Sequence, residues 1–117
     1  QSAFCYGPHA ARQRQPAARV LPVPDGLAPE TAVFARLMAV GMSTLSTTVA
    51  RPPERVVVTG LGPVGCLAAQ VFAACGYAVV GVDPDPGRRA LAASLGVEAL
   101  EAAPAEDPRA PVALGLE

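Results

Sequence analysis

"VVVTGLGPVG", residues 56–65, is the stretch whose reading decides the fold: β-branched residues lead into glycines at 60, 62 and 65. A G-x-G-x-x-G series alone is weak evidence, because glycine-rich turns serve many ends, so its surroundings must settle its meaning. Before it, Arg55-Val56-Val57-Val58-Thr59 is a short β-branched run of the kind found in a strand covered on both faces. After it, Pro63 stands where a first helical residue belongs, and Val64, Leu67, Ala68, Val71, Phe72 and Cys75 recur at spacings of three and four. Gly76 then closes the helix at the position after its C-cap.

Between a buried strand and an amphipathic helix, the three glycines acquire distinct expected roles. Gly60 permits the tight turn, Gly62 lets a backbone approach a pyrophosphate with no Cβ in the way, and Gly65 lets the helix pack close to the strand. The helix start, from Pro63 and Val64 onward, offers free N–H groups and the positive end of its dipole to phosphates, although Pro63 removes one donor. The next strand, Ala78-Val79-Val80-Gly81-Val82, ends at Asp83, 18 positions beyond Gly65. A carboxylate there can accept both hydroxyls of an adenosine ribose and would repel a 2′-phosphate, which favours NAD over NADP. Arg88 is the reservation: it is either a guanidinium able to pair with a 2′-phosphate or a solvated residue in the first turn of a helix. The expected cofactor-binding residues are therefore Gly60, Gly62, Pro63, Val64, Gly65, Asp83 and Arg88. The alternative is a Rossmann-like domain that holds a different nucleotide-bearing ligand or has lost binding.

Further along, Asp85 is a plausible N-cap for a helix that begins at Pro86 and ends at Gly96. Val97 to Leu100 is expected as a short third strand, 101–111 as a loop, and Val112-Ala113-Leu114-Gly115-Leu116 as a fourth strand cut off at its end. Working backward, Arg51-Pro52-Pro53-Glu54 is a break, and residues 30–48 carry the pattern of one long helix opened by Pro29. Val33, Phe34, Leu37, Met38, Val40 and Leu45 cover most of its circumference, so it is expected to be largely buried. Ser43, Ser46, Thr47 and Thr48 load its last turns with hydroxyls, which either bond back to the helix's own carbonyls or wall a ligand. Earlier still, five prolines between residues 8 and 29 exclude a long helix, and Arg19 to Pro24 reads as an edge strand running into the turn Pro24-Asp25-Gly26.

Composition bounds the function. Hydrophobic residues make up 51% and charged residues 16%, which fits a globular interior rather than disorder. No apolar run approaches the roughly 20 residues of a bilayer span, and no basic-then-apolar signal segment opens the chain. All nine positive charges are Arg against ten acids, a net charge of −1 that leaves no basic surface for nucleic-acid phosphates. Cys5, Cys66 and Cys75 are odd in number and lack C-x-x-C spacing, as expected of reduced cysteines in a cytoplasmic protein. The one histidine, His9, lies far in sequence from Cys66 and Cys75, so a structural zinc site within this chain is not expected. The start at Gln1 and the stop at Glu117 after an apolar run lead us to expect a piece of a longer protein.

Pro22-Val23-Pro24-Asp25-Gly26-Leu27, the long helix, the glycine stretch, Val80-Gly81-Val82-Asp83 and Leu95-Gly96-Val97 together resemble the middle of a medium-chain dehydrogenase/reductase. That superfamily includes alcohol, sorbitol and threonine dehydrogenases, and the likeness runs from about Arg19 to the end. It implies an α/β fold: a Rossmann-type doubly wound parallel sheet, incomplete here, preceded by the end of a GroES-like β domain. On that reading residues 1–28 close the catalytic domain, 29–51 form the joining helix, and 52–117 are the first half of the NAD(P)-binding domain. The implied activity is hydride transfer between nicotinamide and an alcohol or carbonyl substrate, in a protein that is homo-oligomeric at full length. The segment alone, with an exposed sheet edge, is expected to be inactive and poorly stable.

The resemblance also shows a departure. Zinc-dependent members place a Cys or Glu ligand on the long helix, and by ungapped spacing Arg36 occupies that position here. A permanently protonated guanidinium cannot ligate zinc. The enzyme therefore either works without zinc, as a quinone or enoyl reductase-type member, or uses another ligand set; no metal ligand is assigned among these residues. No catalytic residue is named either. His9, near the substrate side in the family, and Val40 and Thr44, near the nicotinamide, have ordinary surface or packing explanations too. A non-catalytic dinucleotide-binding module is the remaining alternative.

Overall fold

Prolines and short β-branched runs divide the chain into brief elements, which the computed structural model describes over residues 2–8, 10–103, 105 and 111–116. His9 and much of the expected 101–111 loop lie outside the described residues. The chain gathers into two compact units, residues 1–36 and 37–117.

In the first unit, strand β1 (Ala3–Cys5) pairs antiparallel with β2 (Val20–Pro22), with Ala3 opposite Pro22 and Cys5 opposite Val20. Pro22 is tolerated because it ends the strand, where no ladder N–H is needed. The turn expected after it forms as Leu27 N–H donates to the Pro24 carbonyl at 3.2 Å, with Gly26 at φ +86°. Helix α1 (Pro29–Ala32) opens with proline at its first position.

The single helix expected over 30–48 is instead two. After α1 the Phe34 N–H donates back only three residues, to Thr31 O at 3.1 Å, and α2 (Ala35–Thr47) starts afresh. This tightened turn has no proline or glycine to announce it. The expectation of a largely buried helix is also corrected: Val40 and Met42 are 45% and 49% exposed, and Gly41 is the buried residue of α2. The cause is that α2 is covered chiefly at Leu37, Ala39, Gly41, Thr44 and Leu45, leaving much of its apolar circumference exposed. On that covered side a Cβ on Gly41 would come within 3.0 Å of Ala68 Cα, so glycine sets how closely the two helices approach.

The second unit is an α/β layer structure. Strands β3 (Arg55–Thr59), β4 (Ala78–Val82), β5 (Glu98–Leu100) and β6 (Val112–Leu116) form one parallel sheet in the order β5-β4-β3-β6. Helix α3 (Pro63–Ala74) connects β3 to β4, and α4 (Pro86–Ser94) connects β4 to β5. The central strand lacks polar alternation because both its faces are covered: Val56, Val57 and Val58 are 0%, 7% and 1% exposed. Phe72 on α3 is fully buried and meets Tyr77 edge-on with ring centroids 5.1 Å apart. The Tyr77 hydroxyl is satisfied by donating to Ala50 O at 2.9 Å.

Both helices stop as their glycines require. Gly76 and Gly96 take φ of +88° and +82°. The N–H after each glycine reaches back five residues, Tyr77 to Phe72 O at 3.2 Å and Val97 to Ala92 O at 3.0 Å. These bonds satisfy helix-end carbonyls and carry the chain directly into the next strand. The Rossmann-type α/β reading of the sequence is borne out by this sheet and its order.

Candidate functional site

The path β3, β4, β5 moves outward on one side of β3, whereas β6 returns to its other side. The order therefore reverses at the C-terminal ends of β3 and β6, the place where open α/β sheets form ligand crevices. A cleft of about 380 Å³ lies there. Its floor is Val58, Thr59 and Leu116 from the strand ends, one wall is Gly60, Gly62, Pro63, Val64 and Gly65, and Val40, Gly41 and Thr44 of α2 face them. Thr59 Oγ1 donates to Leu116 O at 2.8 Å and holds the two strand ends together beneath it.

The glycines differ physically. Gly60 has φ +84°, a left-handed conformation that costs an L side chain roughly 1–2 kcal/mol. Gly62 is the N-cap of α3, at φ −67° and ψ −177°, a conformation open to most residues. A Cβ built on Gly62 meets nothing within 4 Å, as at Gly60, but Gly62 has this open space at the N-cap of α3 and without a positive φ. Gly65 is the reverse case, since its Cβ would lie 1.9 Å from Gly60 O and 3.5 Å from Val58 Cγ1. The positive φ thus falls at Gly60 and the close packing at Gly65. A helix leaves its first N–H groups without internal partners, and Val64 and Gly65, in the first turn of α3 at the positive end of its dipole, line the cleft.

Asp83 follows β4 and is 2% exposed. Its Oδ2 accepts the Leu61 N–H at 2.8 Å, and its Oδ1 accepts the Asp85 N–H at 2.8 Å. Arg88 reaches Oδ2 at 3.5 Å through Nη1, with its own side chain 59% exposed. The Asp85 N–H first, and then the Leu61 N–H, hold the Asp83 carboxyl below the usual carboxylate range, against the effect of burial. Asp85 caps α4 as expected, accepting the Arg88 N–H at 2.9 Å. Arg89 donates to the Asp83 and Pro84 carbonyls, each at 2.8 Å, and braces the same turn.

The site residues named from the sequence fall into two neighbouring groups. Gly60, Gly62, Pro63, Val64 and Gly65 line the cleft, while Asp83 and Arg88 stand at the start of α4 and join the loop through Leu61. Sequence reasoning missed Leu61, which is 2% exposed and packs on Gly81. A glycine within a strand is the signal that something approaches closely there. The helix hydroxyls divide: Ser46 and Thr47 donate to carbonyls of their own helix at 2.9–3.2 Å, the ordinary back-bonding reading, while Thr44 lines the cleft. Arg36 places its guanidinium 5.4 Å from the Tyr6 ring centroid, a cation–π contact. Among the described residues no three His, Cys, Asp or Glu side chains group as a metal site, and no helix is long and apolar enough to cross a membrane.

No known family profile matches the chain. In sequence it is 36% identical over 74 residues to the L-galactonate-5-dehydrogenase of Escherichia coli, a match covering 63% of this chain and 22% of that protein. In structure it is similar to the quinone oxidoreductase of Thermus thermophilus, solved with NADPH, at TM-score 0.64 and 36% identity over 72% of this chain and 29% of the other. The acetophenone reductase of Geotrichum candidum in complex with NAD matches at TM-score 0.68 and 25% identity, over 78% of this chain and 27% of the other. The chain thus spans under a third of the length of these relatives. Its relatives and structural neighbours are medium-chain dehydrogenases/reductases, and the resemblance read from the sequence is borne out.

Proposed function

We propose that this chain holds the pyrophosphate of a nicotinamide dinucleotide over Gly62, within an oxidoreductase that moves a hydride between that cofactor and a small alcohol or carbonyl substrate. The observation that carries the reading is the open space at Gly62, set beside the N-terminus of α3 at the reversal point of the sheet. The residues suit the group: Gly60, Gly62 and Gly65 shape the cradle, Pro63 fixes the first turn, and Val64 and Gly65 offer N–H donors. Bound there, nicotinamide would supply or accept the hydride. Val40 and Thr44 would shape the inner side of the cleft.

The adenosine ribose belongs at Asp83, whose carboxylate oxygens each retain a lone pair once Leu61 and Asp85 are served. Arg88, exposed and lying on Asp83, would yield to the ribose. A negative carboxylate there disfavours a 2′-phosphate, so the preferred cofactor is NAD. The proposed organisation assigns residues 1–28 to the end of a GroES-like catalytic domain, 29–51 to the joining segment and 52–117 to the first half of the cofactor domain. A cytoplasmic homo-oligomer is proposed for the whole protein.

A second reading, a zinc-independent reductase of the quinone or enoyl type, is favoured by Arg36, which stands at the expected ligand position with its charge over Tyr6. The test is fluorescence titration of the full-length protein with NADH and NADPH, followed by turnover with a panel of alcohols, ketones and quinones and a metal assay. NADH binding tighter than NADPH binding, with consumption of NADH, is expected. Binding without turnover would point to a non-catalytic module, and the absence of any dinucleotide binding would overturn the proposal.

A further inference from the structure

The carboxylate of Asp83 is committed within the protein before any ligand arrives. Its two oxygens accept the Leu61 and Asp85 N–H groups, each at 2.8 Å, so one buried side chain bridges the glycine loop and the start of α4. Two further contacts fasten the same loop to the same strand. The Gly60 N–H donates to Val82 O at 2.8 Å, and the Leu61 side chain lies on Gly81 so closely that a Cβ there would come within 2.6 Å of Leu61 Cδ2. Leu61 is therefore held at both its backbone and its side chain. Removing the carboxylate would leave the buried Leu61 N–H and the part-buried Asp85 N–H without their acceptors, and an unpaired buried donor is an arrangement folded proteins avoid.

We propose that Asp83 is a positioning residue for the glycine loop: by holding Leu61 and Asp85 together it keeps the Val64 and Gly65 N–H groups aimed at the cleft whether or not a ribose is present. Its functional meaning rests on the reading of the loop as a pyrophosphate cradle. The fastening itself is a property of the protein without ligand. A residue serving only the ribose needs no such bonds within the protein.

Asp83→Asn is close in shape but turns an amide NH₂ toward one of two backbone donors. In hydrogen exchange of the full-length protein without cofactor, peptides over residues 60–66 and 84–88 are expected to exchange about tenfold faster in this variant. Peptides over the buried middle of α3 should keep wild-type rates. Unchanged exchange over 60–66 would overturn the proposal. Should Asp83→Asn fail to fold, Gly81→Ala tests the same fastening with Asp83 intact, because its Cβ displaces Leu61 from β4. Faster exchange over 60–66 is again expected, and a wild-type rate again overturns the idea. NADH titration of the same proteins separates the two readings. A loop loosened by substitution in a protein that never binds NADH would uphold the fastening and remove the pyrophosphate reading. Lost NADH binding with unchanged exchange would do the opposite.

Discussion

Gly62→Ala and Gly65→Ala each add one methyl group to the same loop and should fail in opposite ways. At Gly62 the backbone conformation suits alanine and the new Cβ meets nothing within 4 Å. Alanine is a poorer N-cap than glycine by up to about 1 kcal/mol, and the loss is offset by roughly 0.4–1 kcal/mol from a less flexible unfolded chain. Stability should therefore stay within about 1 kcal/mol of wild type. The methyl would, however, occupy the space assigned to a phosphate, and Kd for NADH should rise at least about tenfold, or ~1.4 kcal/mol. At Gly65 the methyl would lie 1.9 Å from Gly60 O, a backbone atom with no rotamer to give way. The clash belongs at or above the upper end of the roughly 1–3 kcal/mol typical of overpacking. Urea denaturation at pH 7 measures stability and quenching of NADH fluorescence measures affinity, both on the same preparations. Wild-type affinity in Gly62→Ala would refute the pyrophosphate assignment, and wild-type stability in Gly65→Ala would refute the close packing of loop and helix.

Phe72→Ala should cost about 3–5 kcal/mol, because the ring is fully buried at the centre of the second unit; a loss under about 1 kcal/mol by urea denaturation would contradict that placement. Arg88→Ala removes the side chain lying on Asp83 and should leave NADH affinity within about threefold while further weakening NADPH; a selective gain for NADPH would count against the assigned roles. Asp83 has its carboxyl lowered chiefly by the Asp85 and Leu61 N–H groups, so its contribution to stability is complete above the unfolded value of about 4 and fades as pH falls through the lower folded value. Denaturation at pH 7, 4 and 3 should accordingly show a steeper acid loss in wild type than in Asp83→Asn, and parallel curves would contradict the hydrogen bonds assigned to it.

What the sequence disclosed was whatever nearby residues decide. Gly60, Gly76 and Gly96 take positive φ where turn and helix-end chemistry place glycine, and Pro63 and Asp85 begin helices as proline and aspartate do. The uniform valines of β3 marked a strand covered on both faces. The break between α1 and α2 escaped notice because one three-residue hydrogen bond makes it, with no residue type that forbids a helix. The exposure of α2 escaped because an apolar circumference states what a helix can bury and is silent on what surrounds it. The engagement of Asp83 by Leu61, 22 positions away, depends on the registry of two strands. Only Gly81 hinted at it, as a strand glycine leaving room for a neighbour.

The pairing of β3 with β6 sets a timetable for synthesis. Thr59 must wait for Leu116, 57 positions later, before its hydroxyl finds its partner. At roughly 5–20 residues per second of translation, the interval is about 3–11 seconds. During that time β3 can already pair with β4, yet its other edge displays unpaired backbone donors and acceptors along a run of valines. The middle of the finished sheet is thus, on the ribosome, its temporary edge, and this is where association between nascent chains would begin.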